Sequence, residues 1–284
     1  LGAIGPAGAA ADAYPRRPVR LIVPFSPGGG SDVIGRQLAH ELSKALGQNV
    51  IVENRPGAGG SIGSREIAVA EADGYSLLLA TSSTHGINPF IYRNLGYDAQ
   101  KDFAPISMLA TSEYALSVAA SSPIRSVAEL IERGKAKPTH YASSGNGTTS
   151  HLCGALLTSM TSTPFVHVPY QSSGPARTDL MGGQVEFNFD NVSVHLPLMQ
   201  SGKLRILATS GRQRTRATPD IPTLIEAGVP DYEMVGWFCL LAPARTPAAI
   251  VERLNREVLR VMRDPEMVEK TYAAGNEPYS TSPA

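Results

Sequence analysis

Two stretches of this sequence repeat one device, in which an apolar run passes into small residues that open a helix. The first is Ser26-Pro27-Gly28-Gly29-Gly30-Ser31-Asp32, and the second is Ser143-Ser144-Gly145-Asn146-Gly147-Thr148-Thr149-Ser150. Such a turn aims free backbone N–H groups at whatever sits above the strand end, and the helix behind it adds about half a positive charge. Glycine suits the turn because a side chain would block close approach and because its φ can be positive. Ser82-Ser83-Thr84-His85, after the run Tyr75–Ala80, adds hydroxyl donors at a third strand end. Ligands of open α/β sheets bind beyond the carboxyl ends of the strands. The combination reads as a pocket for a small anion built from neutral donors. In that pocket Phe25, Pro27, Gly28 and Gly29 form the loop and ring wall, and Ser82, Ser83 and Thr84 supply hydroxyls. Asn146, Gly147, Thr148 and Thr149 face them from the second helix start, and Gly28 is the position where a bulky residue such as Leu is expected to abolish binding.

Phe187-Asn188-Phe189-Asp190-Asn191 alternates aromatic and polar residues and places an acid at the carboxyl end of a strand. An acid in a pocket for anions is costly unless it meets a cation. A ligand ammonium group would supply one, which points to an amino acid such as aspartate or glutamate. The other reading is that Asp190 caps the next helix, with Asn191-Val192-Ser193 at its start. One carboxylate oxygen for each role satisfies both.

Other chemistries fit poorly. Neither Gly28–Gly30 nor Gly145–Gly147 is followed by the Gly-Lys of a P-loop, and Gly145-x-Gly147-x-x-Ser150 is one glycine short of a dinucleotide fingerprint. Gly59-Gly60-Ser61-Ile62-Gly63 matches the G-x-S-x-G nucleophile elbow literally. That elbow needs its serine at the tip of a strand-to-helix turn, whereas Asn54–Ala58 separates Ser61 from the strand ending near Glu53. His40, His140, His151, His167 and His195 show no metal-ligand spacing, so neither a metal nor a cofactor is expected. The two cysteines, Cys153 and Cys239, permit one disulfide; Cys239 lies in the apolar run Trp237–Leu241, which equally suits a buried free thiol.

The elements that must position these loops follow from periodicity. Short apolar runs at Arg20–Phe25, Asn49–Glu53, Tyr75–Ala80, Thr139–Ser143, Phe165–Val168, Val185–Asp190, Leu204–Thr209 and Trp237–Ala242 alternate with helical patterns. Ile34, Leu38 and Leu42 line one helix that Ser31 can cap and Gly47 closes; Ser126-x-x-Glu129 opens another, and Thr246-Pro247 starts a long terminal one. This rhythm predicts parallel sheet with right-handed crossovers. At 284 residues two domains are expected. No low-complexity linker divides them, so the division is discontinuous: residues 14–112 plus 240–284 in one lobe and 113–239 in the other, with hinges near Ala110–Glu113 and Phe238–Leu241. Lys plus Arg and Asp plus Glu are 25 each, a balance without the basic footprint of a nucleic-acid binder. No stretch reaches the roughly 18 apolar residues of a membrane span. Leu1–Ala13 is small and apolar, and Ala11-Asp12-Ala13 fits the pattern before a signal-peptidase cut, so the stretch reads as an export-signal remnant or a flexible tail.

These residues carry a resemblance. Pro24–Asp32, Val52-Glu53-Asn54-Arg55-Pro56-Gly57-Ala58-Gly59-Gly60, Asp73-Gly74-Tyr75, Tyr141–Thr148, His167-Val168-Pro169-Tyr170, Gly182-Gly183-Gln184 and Pro219-Asp220-Ile221-Pro222-Thr223 resemble, in order, the Bug-type solute-binding proteins, receptors of tripartite tricarboxylate transporters. The chain departs from the family pattern at Tyr170-Gln171-Ser172-Ser173, where Tyr-Lys-Gly is frequent, and at Trp237-Phe238-Cys239, where Trp-x-Gly is commoner. The resemblance implies a two-lobed, type II-like periplasmic binding protein fold, two Rossmann-like α/β domains joined by a two-segment hinge. It implies a periplasmic, monomeric receptor without catalytic residues, whose partners are a small carboxylated solute and the membrane subunits of a transporter. Tyr170 joins the expected ligand-binding set. Receptors for a dicarboxylate or an aromatic acid, and a sensor input module, remain the alternatives to an acidic amino acid.

Overall fold

The computed structural model describes residues 14–283; Leu1–Ala13, with the reading given to it above, lies outside the described residues. Strands β1 (Val19–Val23), β2 (Val50–Asn54) and β3 (Ser76–Thr81) pair in parallel with β1 at the centre. Helix α1 (Gly30–Leu46) connects β1 to β2, and α2 (Ser61–Ala68) connects β2 to β3. The α1 pattern behaves as its spacing dictates: Ile34, Leu38, Leu42 and Leu46 are buried and Gly47, at φ 66°, ends the helix. Its start differs from expectation. Gly29 is the N-cap and makes no side-chain bond, while Ser31 lies inside the first turn. Asp32 holds the loop instead, accepting the Gly28 N–H at 2.9 Å and bonding Arg36 and Asn54. A carboxylate in the first turn is favoured by the helix dipole.

The second sheet contains β5 (His140–Ser143), β6 (Val166–Pro169), β7 (Phe187–Asn191) and β8 (Leu204–Thr209). The two are joined by β4 (Phe103–Ala119), a single strand of 17 residues. Its first part pairs antiparallel with β9 (Val235–Pro243), and from Tyr114 onwards it pairs with β7 and β8. The strand order is β2-β1-β3-β9-β4-β7-β5-β6, with β8 and the short β10 (Asn276–Pro278) also on β4. β4 shifts register at Pro105–Ser107, at Met108–Ala110 and at Leu116–Ser117. A proline is tolerated in a strand at such a bulge, and the bulges let one strand serve two differently oriented sheets. The sequence division at 239/240 falls inside β9, all of which pairs in the first sheet.

The remaining helices are α3 (Asn88–Ile91), α4 (Val127–Ala136), α5 (Thr149–Thr161), α6 (Ser173–Met181), α7 (Val192–Gln200), α8 (Ala248–Met262) and α9 (Pro265–Ala273). A turn of π-helix, Ser82–Ile87, precedes α3. Two main cores result. Leu21, Leu38, Leu77, Leu240, Leu254 and Val258 pack in the first lobe, and Leu116, Leu130, Leu157, Phe187, Phe189 and Tyr232 in the second. Cys153 and Cys239 are both free and buried, so neither is in a disulfide. None of the described helices is long and apolar enough to cross a membrane.

Glu113 sits on β4 where the strand passes between sheets, against Gly211; a Cβ on Gly211 would lie 1.8 Å from Glu113 Oε1. Glu113 Oε2 has no hydrogen-bond partner. Burial pushes the Glu113 carboxyl up from 4.5 to about 7, and Glu277 nearby pushes the same way. The folded chain therefore holds this proton more tightly than the unfolded chain. The stability it contributes is full below pH 4.5 and is lost as pH rises through 7. Glu113→Gln, which stays neutral, is expected to exceed the native chain by roughly 1–3 kcal/mol at pH 8 and to match it near pH 4, below the unfolded-state value. Thermal unfolding at both pH values checks this; an equal difference at the two would refute it.

Candidate ligand-binding site

A cavity of about 50 Å³ lies between the lobes beyond the strand ends. At the ~10–15 Å³ a water requires, that is space for a few water-sized groups. Four helices of nine residues or more begin at its wall. Gly29, Gly30 and Ser31 come from the start of α1, and Thr148 from the N-cap of α5. Ser172 and Ser173 come from the start of α6, and Asn191 from the N-cap of α7. Each helix start carries N–H groups without an intrahelical acceptor and about half a positive charge. Thr81, Ser82 and Ser83 add the start of the π-helical turn, while Phe25, Tyr114, Trp237 and Phe238 form aromatic walls. Among the described residues, Asp190 is the one charged side chain in the lining.

Of the residues singled out in the sequence, the fold brings Phe25, Gly29, Ser82, Ser83, Thr148 and Asp190 to this cavity. Others stand beside it with different tasks. Pro27 and Gly28 are exposed at the loop tip. Thr84 closes a capping box with Thr81, which spends its hydroxyl locally. Asn146 accepts a hydrogen bond from the Tyr92 hydroxyl of the facing lobe at 3.1 Å, and Gly147 packs under Asn88 and Tyr92. The Tyr170 hydroxyl donates to Asp179 at 2.6 Å, so it points along α6 and not into the cavity. Thr149 bonds Ser82 Oγ at 2.9 Å and Ser83 Oγ at 3.2 Å, and its N–H donates to Ser83 Oγ at 3.0 Å. Hydroxyls expected to face a ligand thus bind one another across the lobes.

Sequence reasoning missed several lining residues. Ser172–Ser173 after β6 and Asn191 at the end of β7 are small polar residues before a helix, the same signal already used at Ser26–Asp32, and it was available there. Gly236–Phe238 and Tyr114 reach the cavity from long strands, where no local signal marks them. Ser61 opens α2, is buried, and its Oγ accepts from Asn88 Nδ2 at 3.0 Å, so it is not presented as a nucleophile. His151 and His167 stack at 4.0 Å, and no group of three or more His, Cys, Asp or Glu among the described residues could hold a metal.

Asp190 does not cap α7 through the helix N–H groups. Its Oδ1 accepts the N–H of Asn191, the N-cap itself, at 2.9 Å. Its Oδ2 accepts from the Ser173 hydroxyl and lies 3.8 Å from Arg177 Nη1. The cation that the sequence reading sought on the ligand is therefore present on α6.

The family described as "Tripartite tricarboxylate transporter family receptor" matches residues 34–283. The chain belongs to this receptor family. Among its relatives is the protein BugT of Bordetella pertussis, 37% identical over 276 residues, which cover 96% of this chain and 85% of BugT. Among solved structures, Rhodopseudomonas palustris Rpa4515 with adipate has a TM-score of 0.92 at 37% identity, covering 95% of this chain and 91% of that one. MatC of Rhodopseudomonas palustris with bound malate has a TM-score of 0.86 at 30% identity, covering 93% and 90%. As a member of a family of periplasmic receptors, this receptor has the two-lobed α/β architecture of solute-binding proteins, and two of its neighbours hold a carboxylate solute.

Proposed function

We propose that this receptor captures a small dicarboxylate between its lobes in the periplasm and presents it to the membrane subunits of a tripartite transporter. The observation that carries this reading is the convergence of four helix starts on one cavity with no lysine or arginine in its lining. Backbone N–H groups and serine hydroxyls hold a carboxylate without a full opposing charge. Adipate and malate in the neighbouring structures agree with that chemistry.

An acidic amino acid is the second reading, favoured by Asp190 in the cavity wall. It ranks below the first because both oxygens of Asp190 already accept hydrogen bonds from the protein. Calorimetry with succinate, adipate, L-malate and L-aspartate separates the two. The expected result is that a dicarboxylate lacking an amino group binds more tightly than L-aspartate. Tighter binding of L-aspartate than of all three would overturn the dicarboxylate reading.

A further inference from the structure

Asp190 is a buried acid, its side chain 6% exposed, on the wall of a cavity built for anions. Left unpaired it would repel a ligand carboxylate through a medium that screens poorly. The titratable groups packed around it come from three other elements. His195 on α7 is pushed down to about 4 by burial, so it is neutral in the periplasmic pH range and supplies no cation. Tyr114 on β4 is held protonated by burial. Arg177 on α6 remains, with its side chain 17% exposed.

Arg177 reaches Asp190 through one bridging hydroxyl. Its Nη1 donates to Ser173 Oγ at 3.0 Å, and the Ser173 hydroxyl donates to Asp190 Oδ2. Ser173 and Arg177 are four residues apart on α6 and so share a face. The same Nη1 donates to the Gly28 carbonyl at 3.1 Å in the opposite lobe. The guanidinium is thus anchored where its charge cancels that of Asp190, and it takes no place in the cavity lining.

We infer that Arg177 sets the ligand class: by giving Asp190 a cation from inside the protein, it reserves the cavity for carboxylates that carry no amino group. This rests on the dicarboxylate reading above. Arg177 is a positioning residue, acting through Ser173 and Asp190 and not by touching the ligand.

The test is the affinity for succinate and for L-aspartate of the native chain, Arg177→Met, Asp190→Asn and the double variant. Arg177→Met is expected to weaken succinate about tenfold and L-aspartate far less, since the ligand ammonium replaces the lost cation. Adding Asp190→Asn is expected to return succinate to within about threefold of the native value, because no charge is left to cancel. A purely structural role, through the bond to Gly28, predicts instead that both ligands weaken alike and that Asp190→Asn rescues neither; that result would overturn the inference. Thermal unfolding of the four proteins without ligand gives a second readout. Coupled losses at the two positions support the pairing, and additive losses overturn it. If the native chain binds neither solute, the dicarboxylate reading falls, and the unfolding cycle still decides whether Arg177 neutralises Asp190.

Discussion

Gly30→Ala is expected to abolish dicarboxylate binding while both lobes stay folded. A Cβ at position 30 would lie 2.4 Å from Asn191 Oδ1 and 2.6 Å from Asn191 Cγ. Asn191 cannot easily retreat, since its Nδ2 donates to Ser112 Oγ at 2.8 Å and its backbone caps α7. Gly30 belongs to the first lobe and Asn191 to the second, so the collision exists only when the lobes are together. Alanine is well accommodated in a helix, and the separated lobes should tolerate it. Affinity should fall at least a hundredfold, roughly 2.7 kcal/mol, with the midpoint of ligand-free thermal unfolding unchanged within about 2 °C. Binding within threefold of the native value would mean that the arrangement seen here is not the bound one. The sequence reading had given this blocking role to Gly28. There a Cβ would meet only Arg177 Nη2, at 3.9 Å, although φ of 79° makes a side chain strained. Gly30, whose φ is ordinary, is the point of close approach.

Thr149→Val should weaken binding by about thirtyfold for a different reason. The shape is kept and the hydroxyl that joins Ser82 and Ser83 across the lobes is lost. Ser82 and Ser83 are 9% and 4% exposed, so closing the lobes would leave buried hydroxyls short of a partner, at roughly 1–3 kcal/mol. The bond from the Thr149 N–H to Ser83 Oγ survives and keeps the loss from being larger. With the lobes apart water serves these groups, so ligand-free stability should hold. Calorimetry gives the affinity and stopped-flow fluorescence of Trp237 the rates, with the expected change in dissociation. An unaltered affinity would show that the hydroxyl cluster does not contribute to closure.

The parts of the fold written locally were readable from the sequence. A glycine-rich turn between an apolar run and a helical pattern announces itself within about ten residues, which is why Ser26–Asp32 and Ser143–Ser150 were found. β4 (Phe103–Ala119) does not show as a strand in the sequence, where only Ala110–Glu113 is read, as a hinge, because Pro105 and the polar residues Ser107, Ser112 and Glu113 interrupt its alternation. Tertiary pairing with β9, β7 and β8 overrides that local pattern. The environment of Asp190 was illegible for a related reason. Its partner Arg177 lies on a separate element, and only the packing of α6 beside β7 brings the charges together. Thr149 was expected to donate to a ligand, since nothing in its own segment shows that Ser82 and Ser83 will stand opposite.

The place of β9 also governs how the chain can acquire its structure. Until Val235–Pro243 arrives, β3 has an open edge and the first part of β4 has no neighbour between it and β3. Helix α8, which covers the same core with Leu254 and Val258, follows still later. The second sheet, by contrast, is complete once residue 209 has emerged. The inserted lobe can therefore assemble while the lobe that begins the chain waits, its apolar β1 and β3 unsealed. Contacts between such distant segments form slowly, and an unpaired apolar edge invites association with other chains. The folding chain thus passes through an interval with an open apolar edge, and the segment that ends that interval is the one that brings Trp237 to the cavity.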